Sequence, residues 1–326
     1  MDALPSLGRK DLAAHIPDLG SIHREWDKTT QFGATFLLPF DPEYPNLLKQ
    51  YAPPPPILTV VGDLSLFAKR CVAIVGARQA SAIGRKLARD IAADLSHQGF
   101  AIASGLARGI DGEAHAASLD GGTIAVLAGG IDHIYPPQHD RLYSAIRENG
   151  ILVSESPFGH RATARDFPRR NRIVTGISEG VVVIEAAERS GSLISARTAL
   201  EQNREVMAVP GSPLEPRAAG GNRLLKDGAT LVRNADDVIE ALSRTIPPNL
   251  RAPEPPGYAD HPELPGNFPE DQMISVKLAL TYEPAPIEDI ARAADIGVPR
   301  CAAILVELEL SGEAVTYSGG RASLSV

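Results

Sequence analysis

Cysteine is almost missing from this chain of 326 residues: Cys71 and Cys301 are the only two, far apart and in no ligand-like spacing. That excludes a disulfide framework or a zinc scaffold and fits a reducing compartment. Long apolar runs are lacking too. No stretch reaches the ~18 residues of a membrane span. The first ten residues, Met1 to Lys10, hold no apolar signal-peptide core, so a cytoplasmic protein with no membrane partner is expected. There is no P-loop, no G-x-G-x-x-G, no metal-ligand cluster, no Ser-His-Asp order and no internal repeat. Neither a metal nor another cofactor is therefore expected.

What is present is the balance of a folded protein, with 44% hydrophobic and 22% charged residues. The length suggests two or three domains. The net charge of -8 argues against nucleic acid until it is divided along the chain. Residues 1–56 carry 5 basic and 7 acidic side chains, residues 57–245 carry 22 and 21, residues 246–269 carry 1 and 3, and residues 270–326 carry 4 and 9. The middle is locally neutral to basic, and the C-terminal region is the acidic one.

Proline marks the boundaries. Pro53 to Pro56 stops any helix before it, and eight prolines crowd residues 246–269, an extended linker with no core of its own. The expected organisation is a small helical region over 1–52, a large domain over 53–245, the linker 246–269 and a last domain over 270–326.

The large domain alternates apolar runs with helical patterns. Strands are expected at Val72–Val75, Phe100–Ala103, Thr123–Leu127, Ile151–Val153, Val181–Ile184, Val206–Val209 and Thr230–Val232. Near-continuous apolar runs suit parallel strands buried on both faces. Ile83, Leu87, Ile91 and Leu95 recur at helical spacing between the first two. The alternation predicts an α/β fold with a doubly wound, mostly parallel sheet, whose ligands sit at the carboxyl ends of the strands.

Those ends carry the candidate site. The first strand runs into Gly76-Ala77-Arg78, with Ser81 and Gly84 at the next helix start. The second runs into Ser104-Gly105-Leu106-Ala107-Arg108-Gly109-Ile110-Asp111, with His115 one turn on. Small residues beside an arginine at a strand-helix junction suit an anion, though either stretch could be a plain turn. Asp111 reads as a helix cap or as an orienter of Arg108, and His115 as a base or as a packed side chain. The third strand ends in Gly129-Gly130, followed by Asp132 and Tyr135-Pro136-Pro137, a wall for the crevice. Beyond the fourth, Arg161, Arg165, Arg169, Arg170 and Arg172 face one acid, Asp166, across His160–Thr175. With Phe167 and Asn171 among them, they offer phosphate partners beside a stacking face, as single strands require. Phe167 could equally be core. On a helix Arg169 and Arg172 share a face and Arg170 points elsewhere. The fifth strand leads to Ser190-Gly191-Ser192, donors at a helix start. Gly211, Gly220-Gly221-Asn222 and Lys226-Asp227-Gly228 read as turns at the same sheet edge.

Val75-Gly76-Ala77-Arg78, Ser104 to Asp111, Phe167 to Ile173, Ser190 to Ala196 and Val209-Pro210-Gly211, in this order over residues 57–245, resemble the DprA/Smf family, the DNA-processing proteins of bacterial transformation. The resemblance implies an extended Rossmann-like domain that binds single-stranded DNA, delivers it to the recombinase RecA, acts as a homodimer and is not established as an enzyme. It maps the DNA pocket onto Arg78, Arg108, Phe167, Arg169, Arg170, Asn171 and Arg172. Ala164 stands where the family often has Lys, and the adjacent Arg165 is the candidate substitute. Residues 1–52 would correspond to a sterile-alpha-motif or helix-hairpin-helix region. Residues 270–326 read as a winged helix: helices over Ile274–Leu280, Pro286–Ala294 and Val298–Leu310, then a wing hairpin around Gly319-Gly320. Its acidity, with Glu307 and Glu309 on the third helix, favours a protein-contact module over a duplex binder. The resemblance also implies pairing through the end of the large domain, where Val238, Ile239 and Leu242 form an apolar face that could instead pack on its own sheet.

Two rival functions remain. One is a nucleotide-binding enzyme like the cytokinin-activating phosphoribohydrolases and lysine-decarboxylase-like proteins, but their Pro-Gly-Gly-x-Gly-Thr loop is replaced by Glu188-Arg189-Ser190-Gly191-Ser192. The other is a nucleotide-sensing transcription regulator, which the acidic C-terminal domain opposes.

Overall fold

In a strand buried on both faces, successive side chains must satisfy two different cores. The computed structural model, which describes residues 18–50, 53–245, 268–317 and 320–325, has this alternation at its centre. Cys71, Ala73 and Val75 enter one apolar cluster, and Val72 and Ile74 enter another on the opposite face of the same strand.

The chain forms two compact units dividing near residue 250. In the first, the elements run α1 (Leu19–Gln31), β1 (Thr35–Leu37), α2 (Asn46–Lys49), β2 (Leu58–Gly62), β3 (Cys71–Gly76), α3 (Ala82–His97), β4 (Ala101–Ser104), α4 (Ile110–Ala117), β5 (Thr123–Gly130), α5 (Asp140–Asn149), β6 (Ile151–Ser156), α6 (Asp166–Gly176), β7 (Gly180–Ile184), α7 (Gly191–Glu201), β8 (Glu205–Ala208), α8 (Ala219–Lys226), β9 (Thr230–Leu231) and α9 (Ala235–Thr245). They build a nine-stranded sheet of order β1-β2-β6-β5-β4-β3-β7-β8-β9. From β6 to β9 every pairing is parallel, and β1 and β2 are antiparallel additions at one edge. The seven expected strands are all there. β3 leads outward through β4, β5 and β6, and the chain then crosses back to lay β7 on the other side of β3. The winding reverses between β3 and β7, the place where such sheets bind ligands.

Helices cover both faces. Ala88, Ile91, Ala92 and Leu95 of α3 pack on Val72 and Ile74, while Ile173, Val174 and Ile177 of and after α6 and Ala196 and Ala199 of α7 pack on Ala73 and Val75. Ile83 is 81% exposed, because a strict four-residue spacing drifts around a 3.6-residue helix. Both cysteines are free and buried; burial pushes the Cys71 thiol up to about 12. Among the described residues no helix is long and apolar enough to cross a membrane.

Two sequence expectations change. A boundary at residue 52 would set residues 35–50 apart from the large sheet, yet Thr35–Leu37 pairs with Leu58–Gly62, and Leu37, Tyr44 and Leu48 sit in the main core. The mostly buried β2 hides behind the proline run. The apolar face on α9 is not a free surface. Val238 and Leu242 are 0% and 2% exposed and Ile239 packs partly buried beside them, against the α3 side of the sheet. The internal alternative holds: the end of the sheet needs a helix to cover Val182 and Met207.

The second unit has its own core of Val276, Leu280, Ile290, Cys301, Ile304, Leu305, Leu308, Ala314 and Ala322. Helices α10 (Glu270–Ala279), α11 (Ile287–Ala293) and α12 (Val298–Leu310) pack with strands β10 (Ala285–Pro286), β11 (Ala314–Tyr317) and β12 (Arg321–Leu324) in the order β10-β12-β11, a winged helix. Residues 1–17, the linker to residue 267 and Gly319 lie outside the described residues.

Truncating the α9 face tests its assignment as core. Leu242→Ala is expected to cost about 2–5 kcal/mol in urea denaturation and to leave the association state by light scattering unchanged.

Candidate functional site

Two strand-helix junctions meet because one of them is glycine. The backbone of Gly109 adopts φ +80, and a Cβ there would lie 2.2 Å from the carbonyl oxygen of Ala77. The Ile110 N–H donates to that same oxygen at 3.3 Å. The loop after β4 therefore rests directly on the loop after β3. Both carry an exposed arginine, Arg78 and Arg108, onto one lip of the sheet. The end of β7 is tied in by Glu185, whose carboxylate accepts from the Ser81 N–H at 2.8 Å and from the Ser81 hydroxyl. Ser81 in turn caps α3, its hydroxyl accepting from the Gly84 N–H at 2.9 Å.

Above this lip the Arg78 guanidinium carbon lies 5.1 Å from the centre of the Phe167 ring, a cation-π distance. The Tyr135 ring centre is 5.5 Å from that of Phe167, the two rings tilted by 58°. Phe167 is half-buried and lines the notch and the cleft rather than the core. These side chains bound a small notch of about 20 Å³ formed with Leu127, Ala128 and His133. Beyond Phe167 opens a cleft of about 790 Å³ at the β3–β7 reversal, lined by Gly76, Asn171, Arg189 and Ser190 to Ser192. Ser190 caps α7, its hydroxyl accepting from the Ser192 N–H at 3.3 Å, and Gly191 is exposed. Arg217, on the far wall, is held by Glu215 at 2.9 Å. The Asn222 side chain exchanges hydrogen bonds with Gly211 at 2.9 and 3.1 Å, which makes that stretch turn chemistry.

The arginine run divides as helical geometry demands. Arg169 and Arg172 share a face of α6 and both reach Glu155 at the end of β6, Arg169 at 3.1 Å. Neither lines the notch or the cleft, so their expected place in the pocket is not where the structure puts them. The sequence window around Asp166 could not reveal Glu155, which comes from the neighbouring strand. Asp166 itself accepts from Thr163 N at 2.7 Å and from His160 Nε2 at 2.9 Å, and these bonds hold it down at about 2. Arg165 is exposed. Among the described residues Arg78, Arg108 and Arg165 have no ionic partner.

Arg170 points inward. It is 7% exposed and donates through Nη1 to the Gly105 oxygen at 2.6 Å and to the Val126 oxygen, and through Nε to Asn171 Oδ1 at 3.2 Å. A Cβ at Gly105 would stand 2.4 Å from its Nη2, so the glycine makes room for the guanidinium. Arg170 is thus a strut beneath the pocket rather than an exposed phosphate ligand. Burial lowers it to about 10, still charged at neutral pH. Asp111 faces it across the loop, accepting from Gly105 N at 3.2 Å and Ala107 N at 3.4 Å. Burial pushes the Asp111 carboxyl above its usual range, with Arg170 pulling it back. Asp111 therefore organises the loop and Arg170, not Arg108. His115 is fully buried: Nε2 accepts from Leu106 N at 3.3 Å, so Nδ1–H donates to Thr123 Oγ1 at 2.7 Å. Of its two readings, packing holds.

Two outcomes follow from these buried groups. Arg170→Met leaves Asp111 buried without its counter-charge and is expected to cost about 3–5 kcal/mol, with much of the loss recovered in Arg170→Met/Asp111→Asn, by chemical denaturation. Burial depresses His115 to about 3 from 6.5. Between those values the unfolded chain binds the extra proton, so this stability is whole above pH 6.5 and is lost as the pH falls. At pH 5 the loss is about 2 kcal/mol, and it should vanish from the pH profile of His115→Asn.

The chain is similar to known proteins along most of its length. The family model for DNA recombination-mediator protein A matches residues 35–243, and that for the DprA winged helix domain matches residues 262–320. Protein Smf of Escherichia coli K12 is 41% identical over 293 residues, which cover 88% of this chain and 77% of that protein. DNA processing protein DprA of Bacillus subtilis is 44% identical over 203 residues, 61% of this chain and 68% of the relative. Among solved structures, DprA of Streptococcus pneumoniae superposes with a TM-score of 0.64 at 36% identity, over 69% of this chain and 78% of that one. DprA of Helicobacter pylori, solved for its mode of binding single-stranded DNA, gives 0.58 at 30% identity, over 65% and 96%. On the strength of the match across its large domain, the chain belongs to the DprA/Smf family of DNA-processing proteins.

Proposed function

We propose that the lip and cleft bind single-stranded DNA and that the protein passes the strand to a RecA-class recombinase. The observation that carries this reading is the Arg78–Phe167–Tyr135 cluster with Arg108 lining the same notch: an aromatic face beside two cations without carboxylate partners. Stacking tolerates any base, and the free cations pair with phosphates, so affinity follows salt more than sequence. Gly76, Gly105 and Gly109 shape the two junctions; Asn171, Ser190 and Ser192 supply neutral donors from the cleft wall. The relative from Helicobacter pylori, solved for its single-stranded DNA binding, supports the same ligand here. A relative named for DNA processing fits a DNA-handling role; we read the protein as a binding protein rather than an enzyme, and as a cytoplasmic homodimer.

The C-terminal domain is read as a protein-contact module. Of its four basic residues, Lys277 pairs with Glu313 and Arg292 with Asp289 at 2.8 Å, which leaves a surface dominated by unpaired acids and unsuited to duplex phosphates.

Titration of a labelled single strand by fluorescence anisotropy at several salt concentrations tests the site. Arg108→Ala should weaken binding and lower the log–log salt slope by about 0.7. Arg170→Met/Asp111→Asn should weaken binding with the slope unchanged, because no phosphate contact is removed. Wild-type affinity in a folded Arg108→Ala variant overturns the assignment.

A further inference from the structure

A second groove begins where the first ends. On the α3–α4 side of Arg78 and Arg108 the surface opens into a space of about 580 Å³, whose other polar walls are Gln79, Arg85, Glu113, Gln138 and His139. Arg85 stands one turn into α3 and is exposed. Its neighbours on that helix are neutralised: Lys86 pairs with Asp90, and Arg89 pairs with Glu113 at 2.7 Å. Arg85 has no ionic partner among the described residues. Glu113 is the one acid lining the groove, and its charge is already met by Arg89. His139 donates Nδ1–H to the Leu106 oxygen at 3.1 Å, which turns its other ring nitrogen away from that bond. The groove therefore holds three unpaired guanidinium groups, two of them shared with the aromatic notch, and neutral donors between them.

We propose that this groove is a second track for the same strand, and that Arg85 contacts a phosphate of the nucleotides that extend beyond the Phe167 stack. The inference rests on the reading of the notch as a single-strand site and extends it. No Phe, Tyr or Trp ring lines the groove, and the His139 imidazole is tied by Nδ1 to the Leu106 oxygen, so the groove grips backbone rather than bases. Its contribution is then sequence-independent, salt-sensitive and confined to strands long enough to cross the Arg78–Arg108 lip.

The test uses the full chain with two labelled oligonucleotides, of about 4 and about 16 nucleotides, the range of single-strand site sizes. Arg85→Ala should leave the short one unaffected. For the long one it should lower the salt slope by about 0.7, so the wild-type advantage shrinks about threefold between roughly 50 and 200 mM salt. Glu113→Gln should tighten the long strand alone, by removing the acid from the groove and freeing Arg89. Arg108→Ala should weaken both lengths. Unchanged affinity and slope of Arg85→Ala on the long strand, or equal loss on both lengths, overturns the second track while the primary site stands. Failure of the wild type to bind either strand overturns the reading beneath it. Far-UV circular dichroism confirms that the variants, all at surface positions, are folded.

Discussion

A guanidinium cut off from water must find every acceptor inside the protein, or its burial would be prohibitive. Arg170 finds the carbonyl oxygens of Gly105 and Val126 and the side chain of Asn171, with the Asp111 carboxylate across the loop. Those partners come from α6, the β4 loop and β5, so one side chain locks three elements of the cleft together. The loop it holds carries Arg108, and that loop in turn rests on the one carrying Arg78. Asp111 then gathers the N–H groups of Gly105 and Ala107, and His115 gathers that of Leu106, whose φ of +53 is sustained by this enclosure. The presented cations depend on a buried one.

The distribution of charge follows from the same packing. Counted along the sequence, the segment His160–Thr175 is a basic run. In space, Glu155 takes two of its arginines and the interior takes a third. Among the described residues, the cations left without an ionic partner include Arg78 and Arg108 on the junction loops after β3 and β4, Arg85 on α3 and Arg165 just before α6. The local field is set by which arginines lack a partner, not by how many there are.

The two units differ in the charge they expose. The large one exposes unpaired arginines at its sheet edge, and the winged helix pairs two of its four bases internally. Its third helix exposes Val298, Val306 and Glu309 beside Arg300, and the Glu309 carboxylate accepts from the Thr316 N–H at 3.1 Å. A duplex-reading helix would instead face the phosphates with cations.

Periodicity by itself determined the strands β3 to β9 of the large sheet, its doubly wound class and the winged helix, because burial on two faces leaves a pattern along a few consecutive residues. Glycine-arginine junctions likewise marked Arg78 and Arg108, since the turn and the charge are neighbours in the chain. Helical spacing separated Arg170 from Arg169 and Arg172, but not what each would meet. That was decided in three dimensions: Glu155 is 14 residues from Arg169, and the Gly105 oxygen is 65 residues from Arg170. The same distance hid β1 and β2, short strands that gain meaning only from pairing with each other and, for β2, with β6. It also hid the fate of Val238 and Leu242, where an apolar stripe reads alike whether it covers its own sheet or another chain's. A sequence records which side chains carry charge or shun water; only the fold decides which partner each one finds, because those partners are brought together by strand order.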